Sequence, residues 1–354
     1  SDGSNTDNIT GLNISYNDFA SSNAAAYTGI DLGDDFGVNN AITMVDNDMT
    51  TPITVGIKVA SGTATITHAN ITSAGAAGIG IHLAGGTGHN IGTADTWANR
   101  NTLSNLATGI QIDDGTVDAS TVTITFNDLS TGNTLAIDNK DANAVLPAIK
   151  NYFSVTTDPL AQVDNNTDYV AYAPWCSNNS CGAFTQDISN STQSKKYGAG
   201  QFERALTEAN ASDVFTFDNA ITYASKNINK AVTFTGGNNA TFSTALTISA
   251  AAILDNVNID TDTSITAGAT IKNSDISKTL SIQSNNVQIG TSGNGNTFSI
   301  SNGDIAITSP DGGNSYTGLQ IVDNTFGLNG GGSYTGISLL NDFGSNAVVL
   351  TNNE

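Results

Sequence analysis

Adjacent carboxylates are the side chains of this sequence best suited to chemistry. Asp34 and Asp35 form one pair, Asp113 and Asp114 form a second, and Asp31 lies shortly before the first. Two carboxylates can act as the acid and the base of a glycoside hydrolysis, or bind calcium together with turn carbonyls. Solvated turns are the simpler interpretation, because the chain has 32 acidic residues and such pairs are common in it. We therefore predict no catalytic and no cofactor-binding residue, and retain these five aspartates as candidate calcium ligands.

The position of the second aspartate pair follows from the residues around it. Apolar and polar residues alternate on both sides of the pair, so residues 108–129 have the pattern of a strand, a corner and a second strand. Alternation puts successive side chains on opposite faces of a strand. The second strand should therefore bury Val122, Ile124 and Phe126 and expose the threonines between them.

The only two cysteines, Cys176 and Cys181, enclose a short polar loop. Such a pair predicts a local disulfide in an oxidising compartment. Half of a metal site is the alternative, but the three histidines, His68, His82 and His89, are distant in sequence. His82 lies in an alternating run, and we expect it to be a solvent-exposed strand residue rather than a ligand.

Two motifs recur along the chain, with neighbouring copies within a run roughly 17 to 31 residues apart, and loose self-similarity at such a period indicates a solenoid. The first motif is Gly-Ile-x-hydrophobic or a close variant, with copies beginning at Gly29, Gly56, Gly78, Gly109, Gly318 and Gly336. The second is asparagine, a small or polar residue and an apolar residue, with copies beginning at Asn17, Asn47, Asn101, Asn127, Asn296, Asn324 and Asn341.

Short strands with polar corners favour a parallel β-helix among the solenoids. Leucine-rich repeats need a helical turn in each unit, and propeller blades need four strands and hairpin turns, for which these repeats have no room. In a β-helix each strand pairs with its equivalent in the next turn, and inward side chains stack in ladders. Inward asparagines at the corners could then bond to backbone groups of the turns above and below.

The sequence predicts two consecutive β-helical arrays, at residues 1–175 and 201–354. Residues 176–200 form a polar junction that contains the disulfide loop. The second array opens with the best helical segment of the chain, residues 201–210, which we expect to cap the array's open core. One face of this helix carries the apolar residues Phe202, Ala205, Leu206 and Ala209.

The end of the first array resembles the secreted right-handed parallel β-helix repeat proteins of the pectate-lyase-like superfamily, of the surface or adhesin type. The resemblance lies in Asn151-Tyr152-Phe153, Asp158-Pro159 and Pro174-Trp175, and the sequence departs from it at Ser154, where that family more often has glycine. The helix at 201–210 likewise resembles the capping helix of such domains. The resemblance implies an all-β, β-helical architecture and a secreted protein, but no particular activity.

A polysaccharide-degrading enzyme is the catalytic alternative within the same architecture. Polygalacturonase-like enzymes carry Asn-Thr-Asp, Asp-Asp, Gly-His-Gly and Arg-Ile-Lys in that order. This chain has Asn5-Thr6-Asp7, Asp34-Asp35 and Gly88-His89, but Asn90 replaces the second glycine and no Arg-Ile-Lys follows. We therefore predict that the protein is not an enzyme.

Composition and charge restrict the partners and the location of the protein. The formal net charge of −21 disfavours nucleic acid as a partner. The sequence contains no run of about 18 apolar residues, so we expect no membrane insertion. The chain starts at Ser1 without an initiator methionine, so we expect a mature product or a segment of a longer protein. Eight Asn-x-Ser/Thr sequons would permit glycosylation.

The sequence thus predicts a non-catalytic, extracellular structural protein. We expect a segment of a cell-surface, surface-layer or filament-forming protein that acts by self-assembly or by adhesion, with copies of itself, other surface proteins or glycans as partners. A carbohydrate-binding adhesin or a glycoside hydrolase or lyase is the alternative.

Overall fold

The structure, a computed structural model, describes residues 10–20, 26–33, 40–50, 52–92, 97–141, 143–154, 159–163, 170–237, 239–310, 313–343 and 346–354. The described chain is all-β, with many short strands, one short α-helix and a few 3₁₀ turns. It divides into two compact units, residues 1–186 and 187–354. None of the helices found in these ranges has both the length and the apolar character that a membrane span requires.

The first unit is built mainly from two parallel sheets. Its strands are β1 Leu12–Ala20, β2 Tyr27–Leu32, β3 Ala41–Thr50, β4 Ile53–Val59, β5 Thr63–Thr67, β6 Asn70–Thr72, β7 Ile79–Leu83, β8 Asn90–Gly92, β9 Thr102–Ser104, β10 Thr108–Ile112, β11 Thr123–Thr125, β12 Leu135–Asn139, β13 Leu146–Pro147, β14 Val170–Ala171, β15 Trp175–Cys176 and β16 Phe184–Thr185. Its 3₁₀ turns are Trp97–Asn99, Ala119–Thr121 and Pro159–Gln162.

The chain passes back and forth between these two sheets. One sheet has the order β2-β4-β7-β10-β12; the other has the order β11-β8-β5-β3-β6-β9, with β1 beside β3. Each return to the first sheet adds a strand next to the previous one, in parallel and in register. Equivalent apolar side chains therefore stack in rows, one of which is Ile30, Ile57, Ile81, Ile110 and Ile137, all buried.

The second unit is also dominated by parallel pairing. Its strands are β17 Ile188–Asn190, β18 Lys195–Tyr197, β19 Val214–Phe217, β20 Ile221–Ile228, β21 Thr233–Thr235, β22 Ala240–Ile248, β23 Ile253–Asp255, β24 Asn258–Ile259, β25 Thr263–Ile265, β26 Thr270–Lys272, β27 Asp275–Ile276, β28 Leu280–Ile282, β29 Gln288–Ile289, β30 Thr297–Ile300, β31 Ile305–Thr308, β32 Gln320–Val322, β33 Thr325–Leu328, β34 Thr335–Ser338 and β35 Val349–Thr351, with 3₁₀ turns at Ala199–Gln201 and Asn341–Phe343. One sheet runs β18-β17-β19-β21-β23-β26-β29-β32-β35 and the other β33-β30-β27-β24-β22-β25-β28-β31-β34, with β20 beside β22.

The single α-helix, α1, covers the first strands of the second unit. It spans Phe202–Glu208, shorter than the 201–210 expected from the sequence, and all four apolar residues of the expected face are buried. Phe202 stacks on Phe234 with ring centroids 5.3 Å apart, and Phe215 stacks on the same ring at 5.2 Å. The helix thus closes an aromatic core that the first strands would otherwise leave open to water.

Cys176 and Cys181 form the predicted disulfide. They are buried together with Phe126, beside the partly buried rings of Trp97 and Tyr152. The position of Phe126 differs from the expectation that it faces the main core with Val122 and Ile124. Its φ of +53° turns the chain sharply, so alternation stops at this bend and the ring packs on the disulfide instead.

Rows of buried asparagines line the bends of both units. In the first unit the Nδ2 group of Asn101 donates to Oδ1 of Asn127 at 2.8 Å, and that of Asn127 donates to Oδ1 of Asn151 at 2.9 Å. Asn127 also donates to the carbonyl of Ile91, a backbone group of the preceding pass of the chain. The inward asparagines expected from the repeat are therefore confirmed, and they satisfy backbone groups that the strand ladders leave without partners.

Hydrogen bonds between successive asparagines recur wherever the motif is described, although Asn17, on the outer strand β1, is itself exposed. Asn17 donates to Asn47 in the first unit, and Asn296 donates to Asn324, which donates to Asn353, in the second. The side chain of Asn341 lies outside the described part of the chain. Asn151 and Asn353 continue the two rows, although neither was among the copies of the motif found in the sequence.

A row of glycines accounts for the Gly-Ile motif of the first unit. A Cβ on Gly56 would lie 2.6 Å from the carbonyl oxygen of Gly80, and a Cβ on Gly80 would lie 2.6 Å from that of Gly109. Gly29 meets the carbonyl of Gly56 in the same way, at 2.7 Å. These residues are glycines because successive passes of the backbone approach too closely for any side chain.

The Gly-Ile motif was placed two residues too early at one copy. At two other copies the glycine is present for a different structural reason. Gly80, rather than Gly78, holds the equivalent position, because its neighbour Ile81 pairs with Ile57 and Ile110. In the second unit Gly318 adopts a φ of +72°, and a Cβ on Gly336 would contact only a ring atom of Phe326, at 3.8 Å.

Replacing Asn127 by alanine should destabilise the first unit by about 3 kcal/mol or more, because several buried polar groups lose their partner together. Both tryptophans, Trp97 and Trp175, belong to this unit, so the urea midpoint of tryptophan fluorescence reports on it. Asn90→Ala is the control, since Asn90 is exposed on a strand, and it should change stability by less than about 0.5 kcal/mol. Equal effects of the two substitutions would contradict a structural role for the asparagine row.

Gly80→Ala should also destabilise the first unit, by about 1–3 kcal/mol, because the new methyl group has to displace a neighbouring backbone carbonyl. The matched control is Gly182→Ala, since a Cβ there would come no closer than 3.5 Å to its nearest neighbour, Oγ of Ser180. The same fluorescence measurement applies. An unchanged midpoint for Gly80→Ala would show that the passes can separate without loss of stability.

Candidate functional site

A cleft lies along one bend of the first unit, and the inward asparagine row determines its walls. Because Asn47, Ala69 and Asn101 point inward, the residues on either side of each of them point outward at the same bend. We call the resulting surface the corner cleft. It is lined by Asp46, His68 and Arg100 on one side and by Asp48, Asn70 and Thr102 on the other, and has a volume of about 390 Å³.

Strand pairing fixes the second of these sides. Asp48 of β3 pairs in register with Asn70 of β6, and Asn70 with Thr102 of β9. Neighbouring strands are about 4.8 Å apart, so the three side chains form a closely spaced row. None of these three side chains hydrogen-bonds to another residue within the described part of the chain, so their polar atoms are left to solvent or a ligand.

The other side carries charges of both signs. Nδ1 of His68 lies 3.7 Å from Oδ1 of Asp46. The guanidinium of Arg100 lies over the ring of Trp97, 4.8 Å from its centroid, and its Nη1 donates to the carbonyl of Trp97 at 3.3 Å. Nε of Arg100 is buried without an acceptor among the described residues.

Arg100 and Asp48 form no salt bridge with any described residue, although the cleft holds two carboxylates and a guanidinium. A ring and a carbonyl hold the guanidinium, whereas on the other sheet of the unit the carboxylate of Asp31 lies 3.6 Å from Nζ of Lys58. The arrangement therefore keeps an acceptor and a donor separately available at one surface.

A second polar row crosses the other sheet of the unit, and there the side chains bond to one another. Asp31, Lys58, His82, Gln111 and Asp138 are register partners on five neighbouring strands. Nε2 of His82 lies 2.9 Å from Oδ2 of Asp113, while Nε2 of Gln111 donates to Oδ1 of Asp113 at 3.0 Å. Since the Nε2 proton of His82 points to Asp113, the 3.3 Å approach of Gln111 to the same nitrogen is a contact and not a second hydrogen bond.

This geometry corrects the expectation that His82 is solvent-exposed. Its side chain is only 15% exposed, because Asp113 bends back from the end of β10 to cover it. Asp113 is accordingly a bonding partner and not only a solvated corner residue. Partial burial alone would raise the pKa of Asp113, but hydrogen bonds from His82 and Gln111 and the nearby charges of His82 and Lys140 lower it below its ordinary value of 3.8.

The candidate calcium ligands that the structure describes do not form one group. Asp31 lies on β2, and Asp113 follows β10, which is the third strand beyond β2 in the same sheet. Three strand spacings amount to about 14 Å, so the two carboxylates cannot share an ion. Asp114 is exposed in the turn, and Asp34 and Asp35 lie outside the described residues. In the described ranges no three or more Asp, Glu, His or Cys side chains are grouped so as to hold a metal ion. Calcium binding at these positions stays a prediction.

Of the polygalacturonase-like pattern, only Gly88-His89 lies within the described residues. Residues 5–7 and 34–35 lie outside the described ranges. His89 is completely buried: its Nδ1 accepts from the backbone N–H of Ala64 at 3.0 Å, and its Nε2 contacts the carbonyl of Gly85 at 2.9 Å. Burial lowers the pKa of His89, against the opposing effect of the bond to Gly85. This histidine connects passes of the chain inside the unit and does not face a ligand.

The corner cleft was not found by sequence reasoning, although its signal is in the repeat. Each copy of the asparagine motif places one residue before and one after an inward position. Listing those flanking residues for successive copies would have collected Asp46, His68 and Arg100 in one row. Their role was hidden because the copy between Asn47 and Asn101 has Ala69 in place of asparagine.

No family model, no curated protein and no solved structure matches this chain. Its function therefore has to be inferred from the arrangement of its own residues.

Acid should weaken the first unit through Asp113. Because its folded pKa lies below the unfolded value, its stabilising contribution is complete above about pH 4 and is lost as the pH falls through the folded pKa. The urea midpoint of tryptophan fluorescence should therefore differ between the native protein and Asp113→Asn at pH 6, and this difference should shrink towards pH 2. Asp114→Asn, in the same turn but exposed, should show no such trend. A difference that is constant with pH would contradict the pairing of Asp113 with His82.

Proposed function

We propose that each unit is a right-handed parallel β-helix, the two forming consecutive arrays. The order of strands supports this, since in one sheet of each unit, β2-β4-β7-β10-β12 and β19-β21-β23-β26-β29-β32-β35, the chain returns one strand further along after each visit to the other sheet. The hand is supported by a general rule, because parallel connections within a sheet are right-handed in about 98% of cases.

We propose that the protein is a non-catalytic, extracellular structural protein, a β-helical segment of a cell-surface, surface-layer or filament-forming protein. The observation that carries this proposal is the repetition of the same pass of chain with the same buried asparagine. Such repetition produces a stiff body with long, regular outer surfaces, which suits assembly and adhesion.

An extracellular location is supported by chemistry that suits an oxidising medium. The Cys176–Cys181 disulfide is stable outside the reducing cytosol, and no free cysteine is described. The net charge of −21 keeps such a surface soluble without positive patches that would bind nucleic acid.

Self-assembly has a physical route in the parallel sheets. The outer strands of each sheet offer backbone donors and acceptors to a further strand, and a strand of another copy can pair with them. Other surface proteins could be joined in the same manner.

A carbohydrate-binding adhesin is the second candidate, and the corner cleft is the observation that favours it. A polysaccharide-degrading enzyme needs two carboxylates that act on one glycosidic bond, and of the two in the cleft Asp46 lies against His68, 3.7 Å from its Nδ1. We propose binding without turnover, so release of reducing ends from a polysaccharide by the purified protein would contradict the proposal.

Negative-stain electron microscopy tests the structural role. At high protein concentration the full chain should form ordered polymers of uniform width, because copies pair through equivalent strand edges. Dilution should return single particles. Dispersed single particles at every concentration would contradict self-assembly and leave adhesion as the remaining mode of action.

A further inference from the structure

We propose that the corner cleft binds a neutral saccharide, an inference that rests on the proposed surface role and names the ligand class of this site. The cleft presents polar side chains of three neighbouring strands that face outward without bonding to one another. It is also large enough, at about 390 Å³, to fall within the range of about 300–1,000 Å³ typical of small-molecule sites.

The unpaired state of these side chains is the first step of the argument. Asp48, Asn70 and Thr102 stand in register at one wall and make no side-chain hydrogen bond within the described ranges. On the opposite sheet of the same unit, Asp113 collects donors from both His82 and Gln111. Outward polar side chains of this unit can therefore hydrogen-bond to one another, but Asp48, Asn70 and Thr102 do not.

The second step concerns Arg100, which is positioned without being neutralised. The Trp97 ring and the Trp97 carbonyl hold its guanidinium in place. Only one of its five side-chain N–H donors has an acceptor in the described part of the chain. A donor held in this way needs little ordering when a ligand arrives, which favours binding.

The third step selects the ligand's charge. An anionic ligand would meet the carboxylates of Asp46 and Asp48, and a cationic ligand would meet the guanidinium of Arg100. A neutral hydroxyl group avoids both conflicts, because it donates to a carboxylate and accepts from a guanidinium at the same time. Neighbouring hydroxyls on a sugar ring can therefore satisfy the acids, the amide of Asn70 and the arginine together.

The geometry of the cleft also matches a chain of sugars rather than an isolated polyol. Its two walls run across β3, β6 and β9, with an outward side chain on each strand at a spacing of about 4.8 Å. The outward row continues beyond Thr102, which bridges to Asp128, and Asp128 bridges to Tyr152. A saccharide bound across the strands would meet a polar group at each step and an aromatic ring at the end.

The test measures retardation of the full chain in native gels containing soluble polysaccharides. Dextran, mannan, laminarin and galactan serve as neutral probes, and polygalacturonate and alginate as acidic ones. The protein is produced in a bacterial host without N-glycosylation, because Asn70 begins a sequon and a glycan there would fill the cleft. We expect retardation by at least one neutral polysaccharide and by neither acidic one. Binding should also change little between low and high salt, because a neutral ligand is not screened.

Asp48→Ala and Arg100→Gln should each weaken this binding about tenfold, the loss expected for a hydrogen bond to a charged group. Asp31→Ala is the matched control, an outward aspartate of the other sheet, and should bind as the native protein does. Far-UV circular dichroism shows whether each variant is folded. If Arg100→Gln does not fold, the binding measured for Asp48→Ala alone tests the proposal.

Three results would overturn the inference: no retardation by any neutral polysaccharide, retardation by acidic polysaccharides alone, or binding unaffected by Asp48→Ala. These outcomes are separate from those of the microscopy. Polymers without saccharide binding would remove the inference and leave the structural role intact, whereas saccharide binding without polymers would remove self-assembly and support adhesion.

Discussion

The buried backbone at each bend is the constraint on which the rest of this structure depends. Where the chain turns inward between two sheets, its N–H and C=O groups leave the strand ladders without partners, and no water reaches them. An asparagine amide can supply a donor and an acceptor at once, and Asn127 does so towards the passes on both sides of it. A leucine would fill the same space but would leave those groups unsatisfied, so the bend requires this residue for chemical reasons.

Much of the surface follows from that inward residue. The residues before it in the first unit include Asp46, His68 and Phe126, all with φ between +53° and +59°. The left-handed conformation makes the sharp turn, and it also directs the side chain outward. The bend thus lines up successive outward side chains, so one internal requirement builds a linear surface. In the corner cleft this surface is polar, whereas near the disulfide it is aromatic.

The sequence predicted those parts of the structure that depend on local pattern. Alternation identified the strands, the two cysteines identified the disulfide, and the apolar spacing of residues 201–210 identified the helix. It failed where spatial neighbours decide. Phe126 continues an apolar alternation but leaves the core at the bend, and the glycine at position 80 is fixed by a carbonyl 29 residues away, that of Gly109.

The candidate site was harder to predict for the same reason. His82 and Asp113 are 31 positions apart in sequence, and only the register of β7 and β10 brings them together. The residues of the corner cleft come from three passes of the chain, and although Asp48 and Thr102 lie in copies of the asparagine motif, only the pairing of β3, β6 and β9 brings them together. Aspartate pairs adjacent in sequence attracted attention instead, although Asp113 and Asp114 do not act together: Asp113 bonds to His82, whereas Asp114 is exposed in the turn.

The two polar rows of the first unit differ in what they contribute to stability. Along β2, β4, β7 and β10, opposite charges and hydrogen-bonding partners face each other, and each pair contributes to holding neighbouring passes together. Along the corner cleft, Asp48, Asn70 and Thr102 contribute nothing of this kind, so changing them leaves the asparagine row and the core untouched. Backbone pairing and the buried asparagines hold the passes together at that bend, and the side chains of Asp48, Asn70 and Thr102 add no hydrogen bond to it.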